Sequence, residues 1–268
     1  MERHVPRHAS DGEAFVRSLV LSQPMLLPWL GMFEQVSLGD VFVFHDNIKL
    51  PRSHGKGKSF QTRVQIKTQG GWAWLSLPID HHSASPDALI NEAIFPDQQW
   101  RKQHLNAIRN AYQMAPYFEE IFEGVVEPLY AFQTNSVSEF CIESMIRLFG
   151  YLGLKAEVCR TSQLDLPRDL AGSGRVLEHC LRFAANRYIT GLGALDYIDY
   201  ELFEQQGVEI YYMEYSKTPY PQLHGDFNPH VTVCDLLFNV GMAFPSYFKS
   251  KARYWKEMEV ARDTYARK

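Results

Sequence analysis

Ser18-Leu19-Val20-Leu21-Ser22-Gln23-Pro24, then Leu27-Pro28-Trp29-Leu30-Gly31-Met32-Phe33, then Asp40-Val41-Phe42-Val43-Phe44-His45, is the stretch that decides the fold. Residues 17–22 read as a short buried strand. It stops at Gln23-Pro24, because proline donates no ladder hydrogen bond and holds its predecessor extended. A turn at Pro28 leads into a short helix over residues 29–38. Residues 40–45 are β-branched and aromatic without Gly or Pro, which predicts a second strand. Strand, helix and strand thus follow one another within thirty residues, and where such alternation continues in the second half it favours an α/β sheet.

The same alternation returns in the second half of the chain. Strands are expected at residues 156–161, 188–191 and 208–215, and helices at 175–185, 199–206 and 232–240. Between the halves, residues 59–68 and 72–77 predict a hairpin about Gly70-Gly71, and helices are expected over 97–114, 116–130 and 136–151. The Lys-, Arg- and Glu-rich residues 244–268 predict a long amphipathic helix. The expected architecture is α/β: a mixed sheet flanked by helices, with a helical middle region and a long C-terminal helix. Its organisation is a loosely ordered arm (1–16), one α/β domain (17–243) and a C-terminal helical extension (244–268). The junction at Ser85-Pro86 is a weak second boundary.

With 268 residues, 46% apolar and 22% charged, the chain has an ordinary globular composition and can bury a large core. A net charge of −4 argues against general nucleic-acid binding. No apolar run approaches the roughly 20 residues of a membrane span, and no apolar signal core follows the charged N-terminus. Cys141, Cys159, Cys180 and Cys234 form no Cys-x-x-Cys pair, so buried free thiols in a reducing cytoplasm are expected.

Four groups of residues could carry chemistry. Gln23 and Asp46, with His45 and Asn47, follow predicted strands, and ligands of open α/β sheets lie beyond the carboxyl ends of strands. Gln23 capping a turn and Asp46-Asn47 making an Asx turn is the competing reading. Lys49, Arg52, Lys56, Lys58, Arg63 and Lys67 occur in a stretch without an acidic residue. Lys56, Lys58 and Arg63 suit a phosphate, or, in the first two, a solvated loop. Gly55-Lys56-Gly57-Lys58-Ser59 is not a Walker A loop, since Arg52 stands where its first glycine is required. His224-Gly225-Asp226-Phe227-Asn228-Pro229-His230 contains metal-ligating types, but its composition is that of a turn. A substrate-lining loop is expected there, and no metal. Asp235 and Asn239 are four apart on one apolar helix, positioned to organise a site or to satisfy backbone groups. His104 in the 97–114 helix is a further general-base candidate.

In their order, several segments resemble the WbqC-like family. The resemblance runs through Gln23-Pro24, Leu27-Pro28-Trp29-Leu30-Gly31-Met32-Phe33, Val41 to Asp46 and Arg63-Val64-Gln65-Ile66-Lys67. It continues through Trp72 to Pro78, Gln103-His104-Leu105 and Ala115-Pro116-Tyr117-Phe118. It ends with Tyr220-Pro221-Gln222, Phe227-Asn228-Pro229 and Asp235 to Gly241. It implies a histidine before Gln-Pro, where Ser22 stands, and an aliphatic residue before the strand-end Asp, where His45 stands. We therefore expect the imidazole to have moved between adjacent strand ends. The resemblance also implies a place in O-antigen, other surface-polysaccharide or natural-product biosynthesis, as a transferase of acyl or aminoacyl groups to an amine.

The expectation is an enzyme that acylates an amino group of a sugar nucleotide or related metabolite. Lys56, Lys58 and Arg63 hold phosphate, and His45 or His104, with Asp46, moves the proton. Gln23, Tyr220, Gln222, Asp235 and Asn239 line or orient the substrate site. No cofactor is expected. A non-catalytic scaffold of the same pathway, docking or dimerising through the C-terminal helix, and a hydrolase of the same acyl linkage are the other readings.

Overall fold

The computed structural model describes residues 16–50, 61–80, 88–167 and 170–266. The N-terminal arm, Lys56, Lys58 and the Ser85-Pro86 junction lie outside them.

The opening stretch folds as its pattern dictates. β1 (Ser18–Ser22) is followed by α1 (Leu30–Ser37) and β2 (Val41–Phe44), and β2 pairs parallel to β1 with Ser22 opposite Phe44. After β2 the chain forms the hairpin β3 (Arg63–Thr68) and β4 (Gly71–Ser76). The helical middle comprises α2 (Gln99–Tyr112), α3 (Phe118–Ile121), a π-helical segment Phe122–Val126, α4 (Glu127–Ala131) and α5 (Val137–Tyr151). The alternation then resumes with β5 (Glu157–Arg160), α6 (Gly172–Arg182), β6 (Arg187–Gly191), α7 (Tyr200–Gln205) and β7 (Glu209–Glu214). α8 (Val233–Val240), β8 (Lys251–Tyr254) and α9 (Glu259–Ala266) complete the described chain.

The main sheet has the order β5-β2-β1-β6-β7-β8. Its first five strands are parallel and β8 is antiparallel to β7. The chain steps outward from β1 to β2 and β5, then jumps back across β1 to β6 and β7. Right-handed crossovers put the helices of the two steps on opposite faces. One core holds Phe33, Val36, Phe42, Phe44 and Phe140 under α1 and α5, and the other holds Leu19, Val41, Val43, Val176 and Cys180 under α6 and α7. Each of these fully buried side chains contributes about 1.5–3 kcal/mol of burial for its larger members. The β1/β6 boundary, where the direction of winding reverses, is a topological switch point.

The C-terminal expectation needs correction. A helix does close the chain, but it covers only Glu259–Ala266, and residues 251–254 are an edge strand. Glu34, buried in α1, accepts the backbone N–H groups of Lys249 (2.6 Å) and Ser250 (2.8 Å) and the Ser250 hydroxyl (2.7 Å). That clamp delivers Lys251–Tyr254 extended to β7. No helix among the described residues is long and apolar enough to cross a membrane.

Candidate functional site

The carboxyl ends of β1 and β2 open into a cleft of about 780 Å³. Its walls include Ser22, Gln23, Trp29, His45, Lys49 and Arg175. β1 delivers Ser22 and Gln23, and the ladder continues one step past β2, where the His45 N–H donates to the Ser22 carbonyl at 2.8 Å. Gly172, at the start of α6, and Arg175, in its first turn, come from the opposite wall. Ligand clefts of small-molecule enzymes fall in the range of about 300–1,000 Å³ and collect at switch points of this kind.

His45 is the distinctive group. It packs edge-on against His179, with ring centroids 5.6 Å apart. Burial, then its electrostatic coupling to His179 and the positive field of Arg175, push its pKa down to about 3, so it is a neutral imidazole at neutral pH. Its buried Nε2 has no hydrogen-bond partner among the described residues. His179, by contrast, is saturated. Its Nδ1 lies 2.7 Å from the Arg175 carbonyl, which can only accept, so Nδ1 carries the proton and Nε2 accepts from the Thr161 hydroxyl at 2.9 Å. Arg175 donates through Nη2 to Asn47 at 2.6 Å, while its buried Nε lacks a partner among the described residues. A buried donor at Arg175 Nε and a buried ring nitrogen at His45 Nε2, both without a partner among the described residues and on residues lining one cleft, call for an explanation, and a ligand supplies one.

Ser22 and His45 do not exchange places as expected. Ser22 is in register with Phe44, so it lies on the α1 face, whereas His45, one residue on, projects to the α6 face. Both still border the cleft, because it wraps over the strand ends. The imidazole enters from the other side of the sheet and does not stand in for the missing one.

The remaining candidates scatter. Asp46 is buried beside the cleft, with Oδ1 accepting the Ser162 N–H (2.9 Å) and Oδ2 the Ser162 hydroxyl (2.6 Å). It ties the end of β2 to the end of β5, a structural role other than the Asx turn weighed for it. Arg63 stacks its guanidinium on Trp74 at 4.5 Å, on the hairpin. His104 sits in an aromatic cage: Nε2 donates to the Ser76 carbonyl at 3.1 Å, and Nδ1 accepts from the Tyr130 hydroxyl at 3.0 Å. Burial lowers its pKa to about 4, against the pull of the Ser76 hydrogen bond.

Tyr220, Gln222, Asp235 and Asn239 form one buried network. Asp235 accepts from the Tyr112 hydroxyl (2.8 Å), the Tyr220 hydroxyl (2.9 Å) and the Gln222 amide (2.8 Å). Asn239 donates to the Asp235 carbonyl at 2.8 Å and accepts the Leu223 N–H at 3.2 Å. Burial raises the Asp235 pKa, and these hydrogen bonds and Lys67 oppose the rise. The Lys67 ammonium donates to Gln222 (3.1 Å), to the Gly225 carbonyl (3.0 Å) and to the Asp226 carbonyl. The network folds residues 220–228 over the hairpin; none of its four candidates lines the cleft. His224 is spent on the Ala111 carbonyl at 2.7 Å, and no trio of His, Cys, Asp or Glu among the described residues has metal-binding geometry.

Of the expected site residues, Gln23 and His45 therefore meet in the cleft. Arg175 and Gly172 were missed. Their signal was Gly172-Ser173-Gly174-Arg175 at a helix start, which reads as a capping feature without the neighbouring strand ends.

Comparison with known proteins is consistent with this frame. The family model for WbqC-like proteins matches residues 23–247. An uncharacterized protein of Mycobacterium tuberculosis is 25% identical over 235 residues, covering 87% of this chain and 98% of that one. No solved structure matches significantly.

Proposed function

We propose, on the premise that this chain belongs to the WbqC-like protein family, that it is a transferase acylating the amine of a sugar nucleotide or related metabolite in the His45 cleft, with the phosphate of its acyl donor held at Arg175. The acyl or aminoacyl group is the one implied by the family resemblance. The observation that carries the reading is the neutral, buried imidazole of His45, a residue that lines the same cleft as Arg175 and whose Nε2 has no partner among the described residues.

The chemistry follows from those groups. Arg175, in the first turn of α6, favours an anion such as a phosphate at that helix start. The substrate amine attacks the acyl carbonyl, forming the C–N bond as the carbonyl π electrons move to oxygen. His45 Nε2 takes the proton from nitrogen. The carbonyl re-forms, the bond to the leaving group breaks, and His45 returns the proton to it. A free imidazole with a pKa of about 3 is a weak base. Phosphate at Arg175 offsets the last and smallest of the causes that depress it, which shifts its basicity upward. Gln23 is placed to orient the carbonyl or a sugar hydroxyl. An unpartnered imidazole in a cleft favours catalysis over a scaffold role.

The test is amide formation from an amino-sugar nucleotide and an acyl donor, followed by mass spectrometry. His45→Gln is expected to lower kcat/KM by about 10²–10⁴-fold without unfolding the protein. Equal rates for His45→Gln and the native chain would remove the proposal's foundation.

A further inference from the structure

Across Trp29 from the cleft lies a second crevice, of about 370 Å³, over the carboxyl ends of β6 and β7. Trp29 lines both, and the two openings flank the β1/β6 switch point. Their chemistry differs. The cleft carries His45, Lys49 and Arg175. The crevice is walled by Trp29, Leu192, Met213 and Tyr215, with His230 edge-on to Tyr215, and the amide of its Gln35 is committed to the Ile189 carbonyl at 3.2 Å.

Three glycines shape the crevice. At Gly31 a Cβ would stand 2.8 Å from Trp29 Nε1 and 3.0 Å from the Tyr215 ring, so only glycine lets those two aromatics close in. At Gly191 and Gly193 a Cβ would meet nothing within 4 Å, which leaves that wall open. Leu192, between them, is 45% exposed although apolar. A slot with aromatic walls and bare backbone on one side accepts a flat apolar group.

We propose that cleft and crevice are one bipartite site, with the phosphate-bearing part of the donor beside Arg175 and a flat, aromatic acyl group in the crevice, the two joined past Trp29. The proposal rests on the transferase reading and adds the class of acyl group. Each methylene equivalent buried in the crevice is worth about fourfold in affinity.

The probes are coenzyme A thioesters carrying acetyl, butyryl and benzoyl groups, titrated calorimetrically into the full chain. Benzoyl is expected to bind at least about tenfold tighter than acetyl. Gly193→Leu, which fills open space at an unstrained position, is expected to abolish that preference while leaving acetyl binding within about twofold. Arg175→Ala is expected to weaken all three alike. Equal affinity for the three thioesters, or equal weakening of acetyl and benzoyl by Gly193→Leu, overturns the bipartite site while leaving the cleft reading intact. Should no thioester bind, benzamide alone is the probe, read by the ¹³C-methyl resonance of Met213. A shift that Gly193→Leu abolishes supports the crevice although the thioester donor class has failed, and no shift in the native chain overturns it.

Discussion

His104 and His45 are both buried, both neutral, and both pushed far below the ordinary value of 6.5 by burial. They differ in what their nitrogens do. Both nitrogens of His104 are engaged, by Tyr130 and Ser76, inside a cage that includes Trp100. His45 lines a cleft, and its Nε2 has no partner among the described residues. The same contrast separates whole regions. The Asp235 network on the helical side is closed on itself, whereas the strand-end region leaves Nε of Arg175 and Nε2 of His45 orphaned. Burial and a shifted pKa alone do not mark a site; what sets His45 apart is an unpartnered ring nitrogen on a residue that lines a cleft.

The contrast can be broken at its strongest point first. Asp235→Ala leaves Tyr112, Tyr220, Gln222 and Lys67 facing an empty position, and a loss of about 3–5 kcal/mol in urea unfolding is expected. A loss below about 1 kcal/mol would mean that the network is not what holds residues 220–228.

The two histidines come next. His104→Leu strands the buried Tyr130 hydroxyl and the Ser76 carbonyl, and about 1–3 kcal/mol of stability is expected to go. His45→Gln is expected to change stability by less than about 1 kcal/mol, since Nε2 holds nothing. Reversal of that order would erase the distinction between cage and cleft.

The finest test is the acid limb of stability. Folded pKa values of about 3 for His45 and about 4 for His104 lie below their unfolded value of 6.5. Between those limits the unfolded chain binds more protons, so the stability is present above pH 6.5 and lost as the pH falls toward 3–4. Each histidine accounts for roughly 2–3 kcal/mol of that loss by pH 4, at about 1.4 kcal/mol per pKa unit. His45→Gln is expected to flatten the limb by its share. Phosphate-bearing ligands are expected to flatten it in the native chain, because anion binding at Arg175 favours the protonated imidazole.

The sheet was legible because β-branched and aromatic runs such as Val41-Phe42-Val43-Phe44 have few other ways to be buried. Gln23 and His45 were legible for a topological reason: they follow strands. The rest depended on contacts distant in sequence. Arg175 joins the cleft only because α6 crosses to the face opposite α1. Gln222 and Asp235 carry the right residue types for a site, yet their partners Tyr112 and Lys67 come from α2 and β3 and saturate them. The C-terminal strand was hidden by its charge: Lys251-Ala252-Arg253-Tyr254 alternates as an edge strand does, but its composition also fits a helix, and Glu34 decides the matter.

The position of β1 has a kinetic consequence. It is a central strand, yet Ser18 is opposite Arg187, 169 positions further on. Its β2 side can pair within a few tens of residues of synthesis. Its other edge stays unpaired until β6 emerges, at about 5–20 residues per second a delay of roughly 10–30 s. For that interval the nascent chain presents a naked apolar strand edge. Early association of α1 and α5 on one face can protect the half-sheet, but completion of the cleft, which needs α6, is necessarily among the last events of folding.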